Sequence, residues 1–198
     1  EKVILYKELN HRVKNNLMIL SGLIYMQEQT ENDASNKKLY EVLRMRIHSI
    51  ALVHEKLYGT NETTEVNFQD YLKELIQLNF EGLEGKMAIP STVDWKALKV
   101  PIDQAIPLAL IFNELINNVK KHAVNYKDTH IEITAQQVNG ITKIIFNDNG
   151  PGLPDGFNID ESGSMGIKII HLMAKQLKAD IDFVKGQKGL VFELILKQ

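Results

Sequence analysis

Two segments at the start of the chain constrain its fold most. Residues 2 to about 30 and about 34 to 58 both carry helical periodicity, with Gly22 the only internal Gly or Pro, and the short polar link Thr30-Glu31-Asn32-Asp33 joins them. Two long helices joined this way fold back as an antiparallel hairpin, with Asp33 placed to cap the second. Each helix of such a pair buries one stripe, so the pair is expected to complete its core against a second copy as a four-helix bundle, which makes a homodimer the default. At about 100° per residue, Leu9, Val13, Leu17, Leu20 and Ile24 gather on one side of the first helix, and His11 falls almost opposite them. Lys7, Glu8, Lys14 and Asn15 surround His11 on the exposed side, so its imidazole is expected to be solvated and largely neutral at pH 7, the form that acts as a nucleophile. A lone histidine in this position is more often an ordinary surface residue, and its meaning depends on the rest of the chain.

With 198 residues, 44% hydrophobic content and a net charge of -2, the chain can hold one large domain or two small ones, each with a core. The slightly acidic balance gives no general attraction to nucleic acid or to an anionic membrane. Cysteine is absent, which removes disulfides, thiolate metal sites and thiol chemistry and suits a reducing cytoplasm. The longest apolar run, Ala105 to Phe112, is far short of the ~18 residues needed to span a bilayer, and no signal peptide is present. A cytoplasmic location without membrane contact by this segment is therefore expected. The chain starts at Glu1 and enters helix at once, as an excised piece would, with a sensor domain expected upstream.

After Gly59-Thr60-Asn61, a third helix is predicted over Phe68 to Phe80, and the second half then alternates elements as an α/β sandwich does. Strands are expected near Ala88 to Val93, Thr129 to Val138 and Ile141 to Asn147, the last two joined by Asn139-Gly140, a strong hairpin signal. Helices are expected from Pro101 to about Val124, with Pro107 in or near its first turns, and from about Met165 to Leu177. A final hairpin runs from Asp180 to Leu196 and turns at Gly186 to Gly189. The expected class is α+β: a long helical hairpin, residues 1–60, followed by an α/β sandwich, residues 61–198.

The chemistry of the second half begins on the Pro101 helix. Leu108, Phe112, Leu115, Ile116, Val119 and Ala123 form an apolar face, while Glu114, Asn118, Lys121 and Asn125 fall within roughly 60° of one another on the other side. An Asn oxygen can hold Mg²⁺, a nearby Glu can orient or deprotonate a reacting group, and Lys can neutralise phosphate. The same stripe also reads as a solvated helix face with local pairing. Asp148 closes a strand and leads into Asn149-Gly150-Pro151-Gly152, where a carboxylate can accept the exocyclic amine of adenine and glycines let the backbone approach a ligand. Gly163-Ser164-Met165-Gly166 opens a helix, and N–H groups at a helix N-terminus suit phosphates. Each loop alone is weak; their joint order is far more specific.

N-E-L-I-N-N-V-K-K-H-A, D-N-G-P-G and G-S-M-G, in this order and spacing, resemble the asparagine box and two glycine boxes of GHKL ATPases. In the first half, E-L-N-H-R-V-K-N-N-L and R-M-R-I-H-S-I-A-L-V-H-E-K-L-Y resemble sensor histidine kinases of the HWE-related, HisKA-type-two subfamily. That resemblance implies a two-component kinase core: phosphoryl transfer from Mg·ATP to His11, then to an aspartate on a response regulator receiver domain. By it, Asn118 coordinates Mg²⁺, Lys121 touches phosphate, His122 lies against adenine and Asp148 binds the adenine amine. Gly150, Gly152, Gly163, Ser164 and Gly166 shape the loops around the nucleotide, and Glu114 orients Mg²⁺ or helps the incoming histidine.

Three departures stand out. The residue after the phosphoacceptor is Arg12, where the commonest histidine kinases have an acid, so Glu8, one turn earlier, is the candidate base and Arg12 a candidate partner of the γ-phosphate. Only about ten residues separate Gly152 from Gly163, with Phe157 a weak match to a phenylalanine box. Gly189-Leu190 stands where many relatives have Gly-Thr, which implies weaker ATP binding. His48, His54, His130 and His171 are read as packed or surface residues. The alternatives are a phosphotransfer scaffold without ATP binding and a GHKL ATPase working through Glu114.

Overall fold

A computed structural model describes residues 2–58, 65–66, 68–80, 91–95, 100–122, 129–153, 164–185 and 189–197; the side chains of 2–11, 56–58, 65–66, 102 and 185 are outside that description. The chain divides into two compact units, Glu1–Val66 and Asn67–Gln198. The boundary expected after residue 60 falls within 59–64, outside the described residues.

The first unit is built on helices α1 (Lys2–Thr30) and α2 (Ala34–Tyr58), which pack against each other, and ends in a two-residue strand, β1 (Glu65–Val66). The turn between the helices is held by two carboxylates. Asp33 Oδ1 accepts the N–H groups of Ser35 at 2.8 Å and Asn36 at 3.0 Å and so caps α2 as expected. Glu31 Oε1 accepts those of Asn32 at 2.8 Å and Asp33 at 3.0 Å, and these bonds hold its carboxyl below the usual range. Lys14 pairs with Glu55 at 2.8 Å, and Arg44 pairs with Glu28 at 3.3 Å while lying over the Tyr25 ring.

The seam differs from the wheel expectation at one residue. Val13, Leu17, Ser21, Ile24 and Glu28 of α1 are half-buried, but Leu20 is exposed. Leu20 lies at the edge of a second apolar face, on which Ile19, Leu23 and Met26 are 61%, 53% and 57% exposed. Apolar side chains thus occupy both sides of α1, and the polar Ser21 and Glu28, rather than Leu20, complete the face turned to α2.

The second unit is a five-stranded mixed sheet in the order β2-β4-β5-β7-β6 with a layer of helices. Its elements are α3 (Phe68–Phe80), β2 (Ser91–Asp94), a short β3 (Val100–Pro101), α4 (Ile102–His122), β4 (Ile131–Val138), β5 (Ile141–Asp148), α5 (Met165–Leu177), β6 (Ala179–Lys185) and β7 (Leu190–Lys197). Strand β2 pairs parallel with β4 and the other neighbours are antiparallel. Pro101 lies in β3 instead of opening α4, and β4 starts at Ile131, two residues later than expected; residues 88–90 and 186–188 of the expected strand and turn are outside the described residues. Asn139 and Gly140 both have positive φ, 52° and 76°, the turn geometry that their pairing predicts.

Period-two burial fills one face of the sheet: Ile131, Ile133 and Ala135 on β4, Ile144 and Phe146 on β5, and Phe192, Leu194 and Leu196 on β7. A run of rings crosses from there into the helices. Phe146 meets Phe112 of α4 at 6.4 Å between centroids, Phe112 meets Trp95 and Phe68 at 6.0 Å each, and Phe68 meets Trp95 at 5.1 Å. Pro107 is buried inside α4.

Two glycines with positive φ separate conformational from steric cost. A Cβ on Gly140 would meet nothing within 4 Å, whereas one on Gly189 would overlap the main chain of Asp148. Gly140→Ala is expected to cost about 1 kcal/mol, or roughly 2–4 °C in Tm. Gly189→Ala must also displace the end of β5 and is expected to lower Tm at least about twice as much. Thermal melts of the two variants check the difference.

Candidate functional site

The candidate site lies in the second unit, where α4, the end of β5, the start of α5 and the start of β7 supply its residues. Helix α4 carries its polar residues along a gradient of burial. Glu114 is only 2% exposed and Asn117 7%, Asn118 is half-buried, and Lys121 and His122 are exposed at the helix end. The stripe is therefore not a solvated face: its N-terminal part is covered, and α5 packs against α4. Asn117 Nδ2 is buried without a hydrogen-bond partner among the described residues. Asn125 lies outside the described residues.

Asp148 sits at the end of β5, 6% exposed, where the alternation of the strand turns its side chain to the buried face. Gly150 N–H donates to its Oδ1 at 2.8 Å. Burial raises its pKa, partly offset by the N–H groups of Gly150 and Leu190 that stabilise the anion. Asn149 Oδ1 accepts the N–H of His130 at 2.6 Å and so ties the loop to the approach of β4.

The glycines mark close backbone approaches. A Cβ on Gly152, whose φ is 70°, would stand 2.8 Å from Gly189 O. Gly189, expected in the turn of the final hairpin, thus packs against both Asp148 and Gly152. Gly166 faces Glu114, whose Oε2 is 2.8 Å from where a Cβ would be. Ser164 is the N-cap of α5. Gly163 and Phe157 lie outside the described residues. Glu8, His11 and Arg12 belong to α1 of the other unit; the side chains of Glu8 and His11 are outside the described residues, and Arg12 is exposed. Burial lowers the pKa of His54, in keeping with a packing role, and His171 is half-buried on α5.

Among the described residues no group of three or more His, Cys, Asp or Glu is arranged to hold a metal, and no helix is long and apolar enough to cross a membrane. The oxygens of Glu114 and Asn118 fit a hard cation that keeps its remaining ligands from phosphate and water.

A helical hairpin followed by an α/β sandwich is a fold that the chain shares with solved histidine kinase domains. Residues 8–82 match the family HisKA_2, described as histidine kinase. The chain is 28% identical over 187 residues to the sensor histidine kinase PdtaS of Mycobacterium tuberculosis, covering 92% of this chain and 36% of that protein. It is 21% identical to blue-light-activated histidine kinase 2 of Erythrobacter litoralis, covering 94% of this chain and 55% of that one. In structure it is similar to the histidine kinase domain of an Erythrobacter litoralis blue-light activated kinase, with a TM-score of 0.68 at 15% identity over 98% of this chain and 93% of that one. The catalytic domain of histidine kinase ThkA matches 69% of this chain and 95% of its own length, with a TM-score of 0.55 at 19% identity. The chain is thus similar to sensor histidine kinases, and it spans about a third of the length of PdtaS.

The pKa of Asp148 sets a pH signature. With its folded-state pKa above its unfolded value, the native state holds the proton more tightly, so its contribution to stability is present at low pH and lost as pH rises through the folded pKa. Asp148→Asn is expected to raise Tm above wild type at pH 7. The gap should shrink as pH falls to about 4, toward the range where the carboxyl is protonated in both states. Melts across that range check this, and a wild type more stable than the variant at pH 7 would contradict it.

Proposed function

We propose that this chain is the kinase core of a two-component sensor, which phosphorylates His11 from Mg·ATP and passes the phosphoryl group to an aspartate of a response regulator. The observation that carries this reading is that one chain joins a segment matching the HisKA_2 model, with His11 on α1, to an α/β unit with a buried carboxylate, Asp148, at the end of β5. Residues 1–60 then form the dimerisation and histidine phosphotransfer domain, and 61–198 the ATP-binding domain.

In this reading Asp148 accepts the adenine amine and His122 lies against the ring. The backbone at Gly150, Gly152, Gly163, Ser164 and Gly166 surrounds the nucleotide, and Lys121 neutralises phosphate. Mg²⁺, held by Asn118 with Glu114 beside it, supplies charge neutralisation at the phosphates. A neutral His11 nitrogen attacks the γ-phosphorus, the bond to the ADP oxygen breaks, and the imidazole proton goes to a base, for which Glu8 is the candidate on α1. Arg12 pairs with the transferred phosphoryl oxygens. The protein contributes position and charge, which is most of what a loose phosphoryl-transfer transition state requires. The receiver domain docks on the hairpin near His11, a sensor domain precedes the chain, and the core works in the cytoplasm.

Incubation with gamma-labelled ATP and Mg²⁺ tests this. Wild type is expected to carry acid-labile, base-stable label, and His11→Gln and Asn118→Ala at least about a hundredfold less. Steady ADP release that survives His11→Gln would instead make the chain an ATPase working through Glu114, and absence of ATP binding would leave a relay scaffold.

The exposed face of α1 supports the dimer. Ile19, Leu23 and Met26 lie on one side of the helix, opposite the seam with α2, and two such faces brought together give a four-helix bundle. Wild type is expected to have the mass of a dimer in light scattering and Leu23→Glu that of a monomer; a monomeric wild type would overturn the assignment.

A further inference from the structure

Helix α5 begins with an electrostatic need that its own sequence does not meet. The first turn of a helix presents N–H groups without intrahelical partners and the positive end of the helix dipole. Ser164 holds the N-cap position with φ -60° and ψ 125°, yet its side chain makes no capping hydrogen bond, and the first turn contains no acidic residue. An acceptor oxygen comes from the neighbouring helix. Glu114 of α4 is 2% exposed, and its Oε2 lies 2.8 Å from the point where a Cβ of Gly166 would be, with Cδ at 3.8 Å and Ser164 Oγ 3.7 Å from the same point.

We propose that Glu114 is a positioning residue: its buried carboxylate anchors the first turn of α5 from α4, and residue 166 is glycine because the anchor occupies the space of a side chain. This gives Glu114 a task separate from any role in proton or metal handling. It also ties the polar stripe of α4 to the backbone N–H groups that the proposed function places at the phosphates. The consequence for nucleotide rests on that reading, but the anchor itself can be tested on the protein alone.

Hydrogen exchange of amides 165–168 and the affinity for a fluorescent ATP analogue with Mg²⁺ should be measured on the whole chain for wild type, Glu114→Ala, Glu114→Gln, Gly166→Ala and the Glu114→Ala/Gly166→Ala double variant. Glu114→Ala and Gly166→Ala are each expected to speed exchange and weaken analogue binding by roughly three- to thirtyfold, the scale of a lost helix cap. Glu114→Gln keeps an acceptor oxygen and is expected to stay within about threefold of wild type in exchange. In the double variant the added methyl enters vacated space, so Gly166→Ala is expected to cost nothing further. In autophosphorylation, Gly166→Ala should raise KM for ATP more than it lowers kcat. Additive losses in the double variant, Glu114→Gln as damaging to exchange as Glu114→Ala, or a Glu114→Ala that leaves exchange unchanged would each overturn the anchor. If wild type binds no analogue, the kinase reading fails, while the exchange data still decide the anchor.

Discussion

The second unit depends on how α4 is fixed to the sheet. Phe112 projects from the middle of this helix into a run of rings that includes Phe146 of β5, Trp95 just after β2 and Phe68 of α3. Rings of this size bury large apolar areas and lock rotation about the helix axis, because turning α4 by one residue would move Phe112 out of its place. With rotation fixed, the direction of every other α4 side chain follows. Glu114 is directed to the start of α5, while Asn118 and Lys121 continue the same stripe toward the exposed helix end. The chemistry of the candidate site is thus oriented by a contact on the opposite side of the helix that touches no polar atom.

Close backbone approach is the second constraint. Asp148, Gly152 and Gly189 come from the end of β5, the loop after it and the start of β7, and they meet with no space for side chains at either glycine. The amides of Gly150 and Leu190 then reach the Asp148 carboxylate, which would otherwise be buried with less compensation. A cost in conformational freedom at two glycines is offset by a well-defined acceptor at the end of a strand. Functional groups placed on rigid elements in this way hold their geometry better than groups carried on loops.

Much of this was legible from local sequence. Asp33 after a polar link, and Asn139-Gly140 between alternating strands, carry their structural meaning within a few residues because capping and tight turns are local physics. The bounds of α3 and α5 follow from periodicity for the same reason. The failures are equally specific. The wheel groups Leu20 with Val13, Leu17 and Ile24 on one side of α1, but Leu20 is exposed, while the polar Ser21 and Glu28 are half-buried with the others. Lys178 ends α5 in the left-handed conformation, φ 53°, where glycine is the usual signal. At the site, Asp148, Gly150 and Gly152 could be read from their spacing. The burial of Glu114 could not, since it arises from an α5 residue far along the chain, and neither could the contact of Gly189 with Asp148.

Trp95 gives the molecule an internal reporter. It is the one tryptophan in the sequence, 1% exposed, and set among Phe68 and Phe112 in the core of the second unit. Its emission therefore follows the integrity of that unit, while far-ultraviolet circular dichroism also reports the hairpin, because α1 and α2 hold just over half of the described helical residues. The two signals together distinguish concerted unfolding from independent melting of the units in a single titration with denaturant.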